Sequence, residues 1–131
     1  MSGPEILFVC VQNSGRSQIA AALAERLGRG KVRARSAGTR PADQVNPTVV
    51  QVMREVGVDL SARRPTRLQD EQVREADVVV TMGCGDECPY YPGKRYEDWD
   101  LPDIGGKPLE EIRGIRDEIE RRVRGLLETL R

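Results

Sequence analysis

The chain contains no histidine. That absence removes the usual general base at neutral pH and the commonest metal-ligating side chain. Acid–base or nucleophilic chemistry therefore falls to Cys, Asp, Glu, Lys or Tyr. Net charge is absent too: Lys plus Arg and Asp plus Glu are both 21. Nothing in that balance directs the protein to nucleic acid or to an anionic membrane. No apolar segment is long enough to span a bilayer. The opening MSGPEILFVC lacks a basic n-region, and its apolar run is too short for a signal peptide, so a cytoplasmic location is expected. Cysteine is scarce at three residues, an odd number that cannot pair completely within one chain. In a reducing compartment such cysteines read as reactive or metal-binding thiols, not as a disulfide framework.

What is present suits a soluble globular protein: 131 residues, 38% apolar and 32% charged. That length predicts a single domain over residues 1–131. Glu5 to Cys10 is an unalternating apolar run, as in a parallel strand buried on both faces. Helical spacing follows from Ser17 to Leu27, ended by Gly28 and Gly30. Lys31 to Ser36 reads as a second strand, and Asn46-Pro47 as the cap and first turn of a helix. A short helix is predicted over Gln69–Glu75, a buried strand over Asp77–Met82, and an amphipathic helix over Pro108–Leu130. Gly83 to Lys107 reads as a long loop region without elements. Strands alternating with helices predict an α/β fold with a parallel sheet.

The junction CVQNSGRS joins the first strand to the first helix. A loop of this kind makes an anion site, because backbone N–H groups converge there with the positive end of the helix dipole. Arg16 closes the loop with a planar fork able to grip a tetrahedral oxyanion bidentately. The same surroundings favour thiolate over thiol at Cys10, and Ser17 is placed to donate to that sulfur. Asn13 tolerates left-handed backbone and is suited to shaping the loop. The candidate oxyanion-binding positions are Val11, Gln12, Asn13, Ser14, Gly15 and Arg16. A cysteine at a strand end is commonly plain core; Cys-x5-Arg-Ser at a strand-to-helix junction points to a nucleophile.

CVQNSGRSQIAAALAERL, together with SAGT, NP, DVVVTM and RDEIERRV, resembles the low-molecular-weight protein tyrosine phosphatases and the arsenate reductases built on the same fold. The resemblance spans nearly the whole chain. It implies a four-stranded parallel sheet flanked by helices, with Cys10 as nucleophile, Arg16 and the loop amides on the oxyanion, and Ser17 steadying the thiolate. Members of the family often carry a second cysteine just before the arginine. Gly15 stands there in this chain, so no disulfide can form within the loop. Some relatives hold potassium beside the loop through an acidic helix residue; AAALAER offers alanines first, and neither metal nor cofactor is expected.

Displacement at a tetrahedral oxyanion also needs a proton donor for the departing oxygen. WDLPDIGG offers Asp100 and Asp103, and the resemblance selects Asp103, with Ile104 where the family usually has proline. The aromatic residues expected beside the acid of a phosphotyrosine slot are missing from Ile104 to Lys107. Cys84 and Cys88, in TMGCGDECP, are close enough in sequence for a disulfide, with Cα atoms roughly 6 Å apart if that segment is helical. A zinc site would need an outside ligand, and the intervening GDE argues against buried structural thiols. A redox pair is the preferred reading.

By resemblance, Cys10 attacks arsenate with Asp103 as acid, Cys84 attacks Cys10 and releases arsenite, and Cys88 attacks Cys84. A thioredoxin-like protein then reduces the Cys84–Cys88 disulfide. A low-molecular-weight thiol, such as mycothiol or glutathione, is the alternative reductant, and phosphate is the expected competing oxyanion. A monomeric arsenate reductase is the leading expectation. A phosphatase acting on aryl phosphates through a Cys10 phosphocysteine is the first alternative, and a non-catalytic redox or oxyanion sensor the second.

Overall fold

The computed structural model describes residues 3–83 and 92–130. Its elements are β1 (Glu5–Cys10), α1 (Arg16–Gly28), β2 (Arg33–Gly38), α2 (Pro47–Arg54), α3 (Asp70–Glu75), β3 (Val78–Thr81), β4 (Arg95–Asp98) and α4 (Leu109–Thr129). The strands form one parallel sheet in the order β2-β1-β3-β4. This is the four-stranded α/β architecture expected.

Strand geometry sends alternate side chains of β1 to opposite faces. Ile6, Phe8 and Cys10 face the larger core, with residues of α1, α2 and α4, while Leu7 and Val9 face Val73, Ala76 and Val79. Both faces of β1 are thus covered, which explains its unalternating composition. Ala20, Ala21, Ala22 and Ala24 are buried in α1 and let that helix lie close to its neighbours. Phe8 is fully buried and meets Trp99 at 5.8 Å between ring centroids. Burial of one such side chain stabilises the fold by about 1.5–3 kcal/mol.

The strand order creates the site. β2 lies on one side of β1 and β3 on the other, so the chain reverses direction across the sheet beside the C-terminal end of β1. Crevices for ligands form at such switch points. Cys10 is the last residue of β1 and pairs in register with Gly38.

The reading of 83–107 as a region without elements is corrected by β4. Arg95–Asp98 is polar and only partly buried, an edge strand held by pairing with β3. It has no apolar signature to betray it in the sequence. Boundaries shift elsewhere: β2 begins and ends two residues later than expected, because it continues through Ala37 and Gly38 alongside β1. Asn46 does cap α2, its Oδ1 accepting from Thr48 N at 2.9 Å. No helix among the described residues is long and apolar enough to cross a membrane.

The C-terminal end of α2 is clasped to α4. Glu55 accepts from Arg113 Nη2 at 2.7 Å and from Arg116 Nη1 at 2.9 Å, and Arg116 Nη1 also reaches the Val52 carbonyl at 2.9 Å. The Arg113 hydrogen bonds, followed by those of Arg116, lower the Glu55 pKa from its ordinary 4.5 to about 2. A carboxylate depressed in the folded state contributes stability that is complete above the unfolded value and lost as pH falls through the folded one. Thermal stability is therefore expected to decline between about pH 4.5 and pH 2 partly through this group, and Glu55→Gln should flatten that part of a Tm-against-pH curve. An unchanged slope in the variant would remove Glu55 from the account.

Candidate active site

The loop after β1 turns with its carbonyls outward. Cys10 O accepts from Thr39 N at 3.2 Å, Val11 O from Arg40 N at 2.8 Å, and Gln12 O from Ala42 N at 3.0 Å. Ser14 O accepts from Asn46 N and Gly15 O from Ile19 N, both at 2.9 Å. Asn13 O accepts instead from the Gln18 side chain at 3.1 Å. In a planar trans peptide the carbonyl and the next N–H point in opposite directions. Six outward carbonyls therefore turn the N–H groups of residues 11–16 toward the inside of the loop. The N–H of Asn13 is directly seen to do so, donating to Cys10 Sγ at 3.2 Å.

Proton direction around the sulfur follows from the partners. Asn13 has φ of 53°, in the left-handed region that asparagine tolerates better than most residues. Its Oδ1 accepts from Thr66 N at 2.9 Å, a backbone donor that cannot reverse its role. Nδ2 of Asn13 must then be the atom facing Ser17, and it donates to Ser17 Oγ at 2.7 Å. Ser17 Oγ lies 2.8 Å from Cys10 Sγ, and with Asn13 Nδ2 on its other side its hydrogen is free to point at the sulfur. Cys10 is 2% exposed and Asn13 and Ser17 are fully buried. Two hydrogen-bonding groups thus meet one sulfur away from bulk water.

The register of β2 explains why that strand ends in glycine, within SAGT. A Cβ on Gly38 would lie 2.7 Å from Val11 O and 3.0 Å from Asn13 N, both backbone atoms of the loop. Only glycine lets the 36–39 segment approach closely enough to hold those carbonyls.

A cleft of about 310 Å³ opens over the loop, lined by Cys10, Val11, Gln12, Ser14, Gly15 and Arg16 on one side and by Asn46, Gly83, Asp103, Ile104 and Gly105 around the rim. None of these lining residues is aromatic. Arg16, the first residue of α1, donates through Nη1 to the Leu101 carbonyl at 3.2 Å, and its Nη2 lies 3.7 Å from Asp103 Oδ1. Asp103 is 80% exposed, so that ion pair is worth little and the carbonyl is the firmer restraint on Arg16. Asp103 Oδ1 also accepts from Ile104 N at 2.7 Å, which turns the carboxylate back on its own loop. Ile104, 3% exposed, packs over the loop after β1: a Cβ on Gly15 would approach its Cδ1 to 3.0 Å.

The structure thus brings together Cys10, Val11, Gln12, Ser14, Gly15, Arg16 and Asp103 around one cleft, with Asn13 and Ser17 buried beneath. Cys84 and Cys88 lie outside the described residues. Sequence reasoning missed Asn46 as a rim residue, Gln18 and Thr66 as partners of Asn13, and Leu101 as the anchor of Arg16. Only Asn46 carried a signal, as an N-cap. Among the described residues, no group of His, Cys, Asp and Glu is arranged to hold a metal ion.

The family model of the low molecular weight phosphotyrosine protein phosphatase matches residues 5–131. Glutaredoxin arsenate reductase of Synechocystis sp. is 36% identical over 126 residues, covering 94% of this chain and 95% of that protein. The thioredoxin-dependent arsenate reductase of Corynebacterium glutamicum superposes with a TM-score of 0.86 at 44% identity. That match covers 98% of this chain and 62% of the other, so the present chain spans less than two thirds of it. The low molecular weight protein tyrosine phosphatase of T. tengcongensis superposes with a TM-score of 0.88 at 26% identity, covering 98% of this chain and 100% of that one.

Proposed function

The chain belongs to the low molecular weight phosphotyrosine protein phosphatase family, and within that family we propose that it reduces arsenate to arsenite. The carrying observation is the Cys10 sulfur, held at 2.8 Å from Ser17 Oγ and 3.2 Å from Asn13 N at the base of a cleft that also contains Arg16 and Asp103. A sulfur so placed is a nucleophile facing an anion site.

In the proposed reaction the Cys10 thiolate forms a bond to arsenic while one arsenate oxygen leaves. Asp103 supplies the proton that helps it depart as water. The N–H groups of residues 11–16 and the Arg16 fork hold the remaining oxygens. The Cys84 thiolate then attacks Cys10 Sγ. As that S–S bond forms, the S–As bond breaks and its electron pair stays on arsenic, which leaves as arsenite. Cys88 attacks Cys84, restoring the Cys10 thiolate and leaving a Cys84–Cys88 disulfide. A dithiol protein of the thioredoxin class reduces that disulfide. In sum, arsenate and a dithiol yield arsenite, a disulfide and water.

Three things support reduction over ester hydrolysis. The similar proteins from Synechocystis sp. and C. glutamicum are arsenate reductases by name. The sequence carries two cysteines that hydrolysis would not use. The described cleft offers no aromatic wall for an aryl ester. The likeness to the T. tengcongensis phosphatase favours a second reading, hydrolysis of aryl phosphates through a Cys10 phosphocysteine. Residues 1–131 are proposed to act as one domain and as a cytoplasmic monomer, with phosphate competing for the arsenate site. Thioredoxin is the proposed reductant, and a low-molecular-weight thiol is its alternative.

The test is mass spectrometry of the protein quenched after a single turnover with arsenate and no external reductant. One arsenite released per chain and a disulfide joining Cys84 to Cys88 is the expected result. Arsenate left unreduced, alongside steady hydrolysis of an aryl phosphate, would replace this reading with the phosphatase.

A further inference from the structure

Five of the six loop carbonyls that face outward are held by backbone N–H groups, which no substitution removes without proline. The exception is the Asn13 carbonyl, whose donor is Nε2 of Gln18 at 3.1 Å. Asn13 is also the residue in left-handed backbone, and the one whose N–H meets the Cys10 sulfur. The least favourable backbone in the loop thus hangs on a side chain.

Gln18 is 2% exposed, and its orientation is unambiguous. Nε2 faces three acceptors: Asn13 O and Asn13 Oδ1 at 3.1 Å, and the Arg64 carbonyl at 3.4 Å. A reversed amide would set oxygen against all three. Gln18 therefore grips Asn13 at its main chain and its side chain together. It also ties the loop to the 64–66 segment, which supplies the Thr66 N–H to the same Asn13 Oδ1.

We propose that Gln18 is a positioning residue that keeps the Asn13–Ser14 peptide from turning over and so holds the loop in its anion-accepting form. The inference rests on the reading of Cys10 as nucleophile and adds a residue to it. Without the Gln18 donor, the buried Asn13 carbonyl is left unpaired. A flip of that peptide relieves it at the cost of the site: the carbonyl dipole swings inward and the Ser14 N–H swings out. Asn13 Nδ2 also loses its anchored partner geometry, and with it the direction of the Ser17 hydrogen.

The experiment measures the iodoacetamide alkylation rate of Cys10 against pH, read on the Cys10 peptide by mass spectrometry, with and without inorganic phosphate. Gln18→Leu keeps the volume and removes the donor; Gln18→Glu keeps the shape and replaces donor with acceptor. In the Leu variant the rate at neutral pH is expected to fall about tenfold and to recover as pH is raised, the midpoint moving up by about one pH unit. Phosphate protection should weaken by about tenfold in parallel. The Glu variant should lose more than the Leu variant near neutrality and regain protection at low pH, where its carboxyl can donate. It carries the test alone should the Leu variant not fold. A merely space-filling Gln18 would leave both profiles and the phosphate protection at wild-type values, which would overturn this inference alone. A wild-type Cys10 that alkylates like an ordinary exposed thiol, without protection by phosphate, would overturn the nucleophile reading and this inference with it.

Discussion

Replacing Cys10 by serine is expected to abolish arsenate reduction, with turnover falling by at least about 10⁴-fold, while the fold and phosphate binding persist. Two reasons combine. A serine hydroxyl at neutral pH is a far weaker nucleophile than a thiolate, and no histidine exists to activate it. The second reason is redox balance. Arsenate accepts two electrons only if sulfur gives them up by forming a disulfide, and a serine oxygen cannot take that part. Even an arsenate ester on serine would return to arsenate on hydrolysis. Stability should change little, within about 1 kcal/mol, because the new hydroxyl inherits the Ser17 and Asn13 contacts of the sulfur. Steady-state arsenite release with a thioredoxin system, together with thermal unfolding and phosphate titration, checks all three statements. Retained turnover in Cys10→Ser would remove Cys10 from the chemistry. Loss of phosphate binding along with turnover would instead point to a collapsed loop.

Much of this site is legible in the sequence, for a physical reason. β1 is buried on both faces and therefore apolar throughout, so its end, and with it the position of Cys10, is marked by composition alone. The loop that follows is local in sequence, and Arg16 and Ser17 belong to the first turn of α1. Local features of this kind leave their trace in neighbouring residues.

What was not legible depends on long-range pairing. β4 is a polar edge strand that exists because β3 offers it hydrogen bonds. Arg16 is anchored by a carbonyl 85 residues away and Asn13 by an amide 53 residues away. Backbone partners carry no residue-type signature, so Leu101 and Thr66 could not announce their roles. Gln18, inside the helical stretch Ser17 to Leu27, has nothing in its spacing to tell that its side chain turns back on the loop. Gly38 shows the intermediate case. Its glycine was evident as the end of β2, yet the reason for it, a Cβ 2.7 Å from Val11 O, needs the β1–β2 register.

The sharpest division between reductase and phosphatase lies with Cys84 and Cys88, which are outside the described residues. Cys84→Ser and Cys88→Ser are each expected to lose multiple-turnover arsenate reduction with a thioredoxin system, while hydrolysis of an aryl phosphate, whatever its wild-type rate, stays unchanged. Hydrolysis asks of the chain only the Cys10 cleft, because water resolves a phosphocysteine. Reduction asks for a second sulfur, and Gly15 places none inside the loop. The two variants should stop at different points. Cys84→Ser removes the thiol that attacks Cys10 in the proposed order, so it should release no arsenite. Cys88→Ser should release one arsenite per chain and then halt with Cys10 joined to Cys84, since that disulfide is tied to the buried end of β1. Peptide mapping of each variant after exposure to arsenate distinguishes these end points. Full multiple turnover in both variants would mean that the external reductant attacks the Cys10 adduct directly, and the relay would have to be given up. Full turnover in one of them would reassign the order of attack. A Cβ on Gly15 would lie 3.0 Å from Ile104 Cδ1, a close contact for any side chain at that position, and in the proposed relay the thiol that relieves Cys10 comes from another segment.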